Sequence, residues 1–151
     1  MPKASVKRLI ECNKDELIDL VLDIEKYPEF VPYCLGSRVH EKNIEGTQIL
    51  IIADLTIGKG PFKDTYKSKV EFNKDDSIIN VTNIGGPLRH LANNWKFLES
   101  DNCTEIFFDI DFEIENKFLN FLMTKSFQYG LNKIADAFQK RAKDLYQPLK
   151  N

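Results

Sequence analysis

The sequence predicts an α+β fold, a curved antiparallel sheet wrapped around one long C-terminal helix. After a short first strand, apolar residues keep helical spacing from about residue 13 to 24, alternate with polar ones from about residue 35, and return to helical spacing from about residue 117. The first two regimes are separated by the stiff turn Tyr27-Pro28-Glu29-Phe30-Val31-Pro32-Tyr33. No linker, repeat or low-complexity tract interrupts the chain, so residues 1–151 read as a single domain with one core.

Ala4, Val6 and Ile10 share one parity and predict a short first strand. Asn13 followed by Glu16 suits a capping box, and Leu17, Leu20, Val21 and Ile24 continue as a helix of about four turns. Pro28 disfavours helix at the residue before it, so the stop is expected near Tyr27.

About five or six strands follow, separated by Ile44-Glu-Gly46, Gly58-Lys-Gly60-Pro61, Asn73 to Ser77, Gly85-Gly86-Pro87 and Ser100-Asp-Asn102. Tyr66, Ser68, Val70 and Phe72 alternate with Lys67, Lys69 and Glu71. Trp95 and Phe97 alternate with Lys96 and Leu98, and Ile106, Phe108, Ile110 and Phe112 with Phe107, Asp109 and Asp111. Each pattern describes a strand with one wet face and one buried face. A helix from about Lys117 to Tyr146 closes the chain, with Phe127, Leu131, Ile134, Phe138 and Leu145 as its apolar stripe. Such a helix is the element able to cover the sheet, and the space between them is either a filled core or a ligand site.

The composition narrows the function classes. A net charge of −2 gives no bulk attraction to nucleic acid, and no DNA partner is expected. Three widely spaced cysteines, with no Cys-x-x-Cys or Cys/His pairing, argue for free thiols in a reducing compartment and against zinc. The N-terminus lacks the apolar core of a secretory signal, and no apolar run approaches the roughly 20 residues that span a bilayer. A cytoplasmic protein is expected.

Catalytic signals are weak. No Asp or Ser partner is evident for His40 or His90, and Asp109, Asp111, Glu113 and Glu115 read as a solvated acidic edge rather than a metal site. The glycine-rich turns join strands, whereas a phosphate loop leads into a helix N-terminus. Not an enzyme is the expectation.

Asp23 to Cys34 resembles the first signature of the coenzyme Q-binding branch of the START-like, polyketide cyclase-like proteins, a branch that includes ribosome association toxins. Gly86-Pro87-Leu88 through Trp95-Lys96-Phe97 resembles its second signature, and Phe112-Glu113 and Ala137 to Ala142 match its closing strand and helix. Tyr33 stands where the family often has Trp, and Leu88 where it often has Phe.

The resemblance implies a helix-grip fold around an apolar tunnel that holds ubiquinone or a similar isoprenoid lipid, in support of respiration. The matching positions are Phe30, Val31, Tyr33, Leu35, Tyr66, Val70, Trp95, Phe97, Phe108, Phe127 and Leu131. For each, plain core packing is the competing reading. Tyr and Trp would add a donor able to reach a quinone carbonyl. The apolar start of the last helix, Phe118 to Met123, is either covered by the sheet or touches the inner membrane peripherally as lipid enters.

Two other functions stay open. One is binding to the large ribosomal subunit, with Lys59, Lys63, Lys67 and Lys69 as a basic cluster. The other is cyclase-like chemistry, for which Tyr66, Arg89 and His90 are the available acid–base groups.

Overall fold

The computed structural model describes residues 3–59, 61–85, 88–114, 117, 120–121 and 127–146. Strand β1 (Lys3–Ile10) leads into helix α1 (Lys14–Leu22) and a 3-10 turn (Ile24–Glu29). A meander follows: β2 (Cys34–Glu45), β3 (Gln48–Lys59), β4 (Phe62–Asn73), β5 (Ile78–Gly85), β6 (Leu88–Ser100) and β7 (Cys103–Ile114). Helix α2 (Phe127–Tyr146) comes last. The strands form one seven-stranded antiparallel sheet in the order β1-β7-β6-β5-β4-β3-β2. This is the helix-grip arrangement expected from the sequence.

The meander is tight because its turns carry residues that accept left-handed backbone. Asp101 and Asn102, at φ 39° and 66°, make the two-residue connection between Ser100 and Cys103 that a type I′ hairpin requires. Register shifts at Cys34/Gly36, Val39/Glu41, Lys67/Ser68 and Leu88/His90 add local twist to the sheet.

Helix α1 is shorter than its apolar spacing implies. It ends at Leu22, and the chain continues through Pro28 as the 3-10 turn. Pro28 has no N–H to donate, and the turn is tied on either side of it. The Lys26 N–H reaches the Asp23 carbonyl at 3.2 Å, and the Phe30 and Val31 N–H groups share the Tyr27 carbonyl at 3.1 and 2.8 Å. Half of the anticipated capping box is present, with Asn13 Oδ1 accepting from the Glu16 N–H at 2.8 Å. Asn13→Ala is expected to cost about 1 kcal/mol in urea denaturation.

The core is densest where α1 and α2 meet the sheet. Leu17, Ile18, Leu20, Val21 and Ile24 pack with Ile51, Ile79, Phe97 and Ile106. On α2 the buried stripe is Leu131, Ala135, Phe138 and Ala142. Leu145, expected on that stripe, is 50% exposed. The last turns of α2 meet α1 on the Ala142 side, where the Cys12 thiol approaches the Ala142 carbonyl at 3.7 Å, and Leu145 is left toward solvent. The helix expected to begin near Lys117 is described as helical at Lys117, Asn120, Phe121 and from Phe127; Phe118, Leu119, Leu122 and Met123 lie outside the described residues.

Candidate functional site: the space between sheet and helix

The inner face of the sheet follows from the strand registers. Cross-strand partners share a face, so Leu55 on β3 places Ser37 of β2 and Tyr66 of β4 beside it. Val70 stands beside Ile51 and Val81, and Trp95 beside Ile79 and Phe108. Helix α2 crosses this face and presents Phe138 to it.

Phe138 joins three elements. Its ring lies edge-on to Tyr27 at 5.4 Å, to Phe30 at 5.1 Å and to Trp95 at 5.1 Å between centroids. Trp95 rests on Phe108 at 4.1 Å and stacks with Phe97 at 6.4 Å. Burial holds the Tyr27 phenol well above its ordinary pKa, and its hydroxyl donates to the Val21 carbonyl. The 3-10 turn is thereby fastened to α1 behind it and to α2 in front.

A polar strap reinforces this attachment. Arg141 of α2 stacks over the Phe30 ring at 5.0 Å and reaches Glu29 at 2.9 Å. The hydrogen bond from Arg141 lowers the Glu29 pKa. Its contribution is therefore present above the ordinary carboxylate range and lost as pH falls through the lowered value. Acidification is expected to loosen the turn in wild type and to change it less in Arg141→Gln, as read by amide exchange at Phe30 and Val31.

Beyond this turn the chain crosses to α2 a second time. Tyr33 adopts φ 68°, its carbonyl accepts the Gly58 N–H at 3.0 Å, and its ring lies over Gly130. A Cβ built on Gly130 would meet Tyr33 Cε2 at 3.5 Å, an ordinary contact. Gly130→Ala is expected to stabilise by about 0.5–1 kcal/mol, because glycine weakens a helix interior and the added methyl packs on the ring.

A second apolar cluster sits on the inner face between Gly58 and β6. Tyr66 and Leu91 are its buried members, with Leu55, Ile57, Val81 and Ile110 around them. Those four face the inside of the sheet and yet are only half-buried. The contrast with Ile51 and Ile79, at 1% and 0% exposed in the main core cluster, is clear. Burial pushes the Tyr66 phenol and the Cys34 thiol up in pKa, so both stay protonated at neutral pH.

The expected site residues divide accordingly. Val70, Trp95, Phe97, Phe108 and Leu131, with the half-buried Phe30 and Val31, belong to one cluster around Phe138; Tyr66 belongs to the other. Tyr33 bridges to α2 at Gly130. Leu35 is a correction: it is 52% exposed, because it is the extra residue of the bulge between Cys34 and Gly36 and swings outward. The side chain of Phe127 lies outside the described residues. Trp95 is no free donor either: its Nε1 donates to Asn93 Oδ1 at 3.0 Å, and Asn93 donates to the Asp109 carbonyl at 2.6 Å.

Both histidines have carboxylate neighbours that sequence spacing hid. His40 Nε2 lies 2.7 Å from Asp54 across β2 and β3, and His90 Nε2 lies 3.6 Å from Asp111 across β6 and β7. Asp111 sits in the same cross-strand row as Thr82 and Lys69, on the outer face. The sheet therefore separates His90 from Tyr66, and the two do not form an acid–base pair in one chamber. The side chains of Arg89 and Lys59 lie outside the described residues. Ser37, Asn93 and Gly130 were not anticipated; a polar residue at an inward strand parity was the available signal for Asn93.

The sequence profile described as "Polyketide cyclase / dehydrase and lipid transport" matches residues 13–139. A ribosome association toxin of Rickettsia prowazekii is 30% identical over 91% of this chain and 94% of its own length. A mitochondrial coenzyme Q-binding protein of Dictyostelium discoideum is 29% identical over 87% of this chain and 64% of its own length. An 18 kDa protein of Caulobacter crescentus, known from a solution structure, superposes with a TM-score of 0.78 at 26% identity, covering 96% of this chain and 98% of that one.

Proposed function

Since the chain belongs to the polyketide cyclase / dehydrase and lipid transport family, we propose that it binds a polyprenyl quinone, or a lipid of that class, without transforming it. The observation that carries this reading is the half-buried inner surface around Tyr66, formed by Leu55, Ile57, Val81 and Ile110. Apolar groups that face a sheet's interior and remain incompletely covered gain from an apolar occupant, at about 25 cal/mol per Å² before association costs. The ring of Tyr33 over Gly130 stands where such a ligand would enter, and Phe30, Val31, Val70 and Leu131 would line its path. Trp95, Phe97 and Phe108 pack on one another and would serve as the chamber's floor. The coenzyme Q-binding name of the Dictyostelium relative supports the choice of ligand, and delivery of quinone to respiratory membranes is the role that fits it. Among the described residues no helix is long and apolar enough to cross a membrane; exposed side chains such as Phe121 and Tyr129 are the ones that would meet a bilayer during delivery.

Organic extraction of the protein purified from a quinone-containing host, followed by mass spectrometry and a redox absorbance scan, tests this. A stoichiometric quinone supports the reading; an extract without quinone or other isoprenoid lipid overturns it.

The name of the Rickettsia relative favours a second reading, binding to the large ribosomal subunit. Lys63 and Lys67 stand exposed on the outer face of β4, although Lys67 faces Asp54 across the strands and Lys69 pairs with Glu71 at 3.9 Å. Co-sedimentation with ribosomal subunits at moderate salt is the expected result under that reading, and Lys63→Glu with Lys67→Glu should abolish it.

A further inference from the structure

The inner face is not uniformly apolar, and its hydroxyls without hydrogen-bond partners among the described residues lie on one half. The β5–β7 side presents aromatics whose polar neighbours are already satisfied, with Trp95 bonded to Asn93 and Asn93 to a backbone carbonyl. The β2–β4 side carries Ser37 and Tyr66, in one cross-strand row on either side of Leu55. Ser37 Oγ is buried without a hydrogen-bond partner. Tyr66 is 9% exposed, and its hydroxyl has no hydrogen bond among the described residues. The next polar side chain along the face is already occupied, with Ser68 Oγ donating to the Ala53 carbonyl at 3.4 Å.

Buried hydroxyls without partners are uncommon and each costs about 1–3 kcal/mol. Ser37 Oγ is such a group, and the Tyr66 hydroxyl in the same row, a single strand away, has no hydrogen bond among the described residues; together they point to a group supplied from outside the chain. We propose that Ser37 and Tyr66 form the head-group end of the lipid site, which takes a ring bearing at least two hydrogen-bond-accepting oxygens and directs the apolar tail away from β2–β4. The inference rests on the lipid-binding reading above and adds the ligand's polarity and orientation. Two strand spacings put the backbones of Ser37 and Tyr66 roughly 9.5 Å apart. The two residues flank Leu55 in the cross-strand row, so a planar ring laid over Leu55 can present an oxygen to each. Protonated at neutral pH, Tyr66 carries an O–H that can donate to a carbonyl or ether oxygen. The half-buried Val81 and Ile110 continue the surface on the far side, where a tail would run.

The test compares two probes with the same tail, decyl-ubiquinone and decylbenzene, which lacks the ring oxygens. Binding is followed by tryptophan fluorescence in wild type, Tyr66→Phe, Ser37→Ala and the double variant. Wild type is expected to bind the quinone at least tenfold more tightly than the hydrocarbon. Each single variant should lose roughly five- to tenfold for decyl-ubiquinone and nothing for decylbenzene. The ligand-free variants should melt close to or above the wild-type temperature, since Ser37→Ala removes an unpartnered buried hydroxyl and Tyr66→Phe keeps the buried ring, and this also shows that they fold. Equal affinity of wild type for the two probes, or variants that bind decyl-ubiquinone as wild type does, overturns the head-group assignment and leaves the lipid reading intact. Failure of wild type to bind either probe overturns both.

Discussion

Phe138→Ala should be the most damaging single truncation in this chain, lowering stability by about 3–5 kcal/mol. Phe138 is 3% exposed and makes edge contacts with Tyr27, Phe30 and Trp95, which come from the 3-10 turn and from β6. Removing the ring leaves a cavity at the place where helix, turn and sheet meet. It also deletes aromatic pairs worth about 0.5–1.5 kcal/mol each beyond their buried area. For a chain of this size each kcal/mol moves the midpoint by about 2–4 °C, so the melting temperature should fall by roughly 6–20 °C. Phe138→Leu keeps most of the volume and should cost about 1.5 kcal/mol or less. Leu145→Ala, seven residues further along the same helix, should stay within about 0.5 kcal/mol, because Leu145 already faces water. A urea series on the three variants checks the ranking. Equal losses at Phe138 and Leu145 would return the buried stripe of α2 to the one that periodicity alone suggests.

That comparison marks what the sequence could and could not convey. Alternation identified the buried faces of β4, β6 and β7 correctly because each of these strands has one wet face, and a period of two has only one way to place its apolar set. Leu145 was misplaced because helical periodicity names a stripe but not the neighbour that turns it. The approach of α1 and Cys12 to Ala142 makes that choice, over more than a hundred residues of separation. Leu35 was misplaced by a bulge, which changes parity without any signature in composition. The carboxylate partners of His40 and His90 were hidden for a related reason. They face each other through hairpin register, which spacing along the chain does not report. The aromatic turn was legible through its prolines and rings. That its parts do different jobs, with Tyr27 and Phe30 anchoring on Phe138 and Tyr33 reaching Gly130, required the backbone.

Tyr33 carries the largest functional prediction. Its φ of 68° lies in the left-handed region, which costs a side chain-bearing residue about 1–2 kcal/mol relative to glycine. The strain is held by the Gly58 N–H on the Tyr33 carbonyl and by the ring's seat on Gly130. A turn under no functional demand would be better served by glycine or asparagine here. Tyr33→Gly relieves the backbone and removes the ring together, so the two effects on stability should nearly cancel, within about 1 kcal/mol. Ligand exchange should not be spared. On the proposed lipid-binding reading, the ring closes the ligand's way between the turn and α2, and with it gone the dissociation rate of decyl-ubiquinone into vesicles should rise about tenfold. Changes at a site's entrance act chiefly on off-rates. Tyr33→Phe keeps the ring and should leave that rate near wild type. Stopped-flow transfer to phosphatidylcholine vesicles reads all three proteins. A Tyr33→Gly protein that is as stable as wild type and releases quinone no faster would show that the ring over Gly130 is packing alone, and that the lipid passes elsewhere.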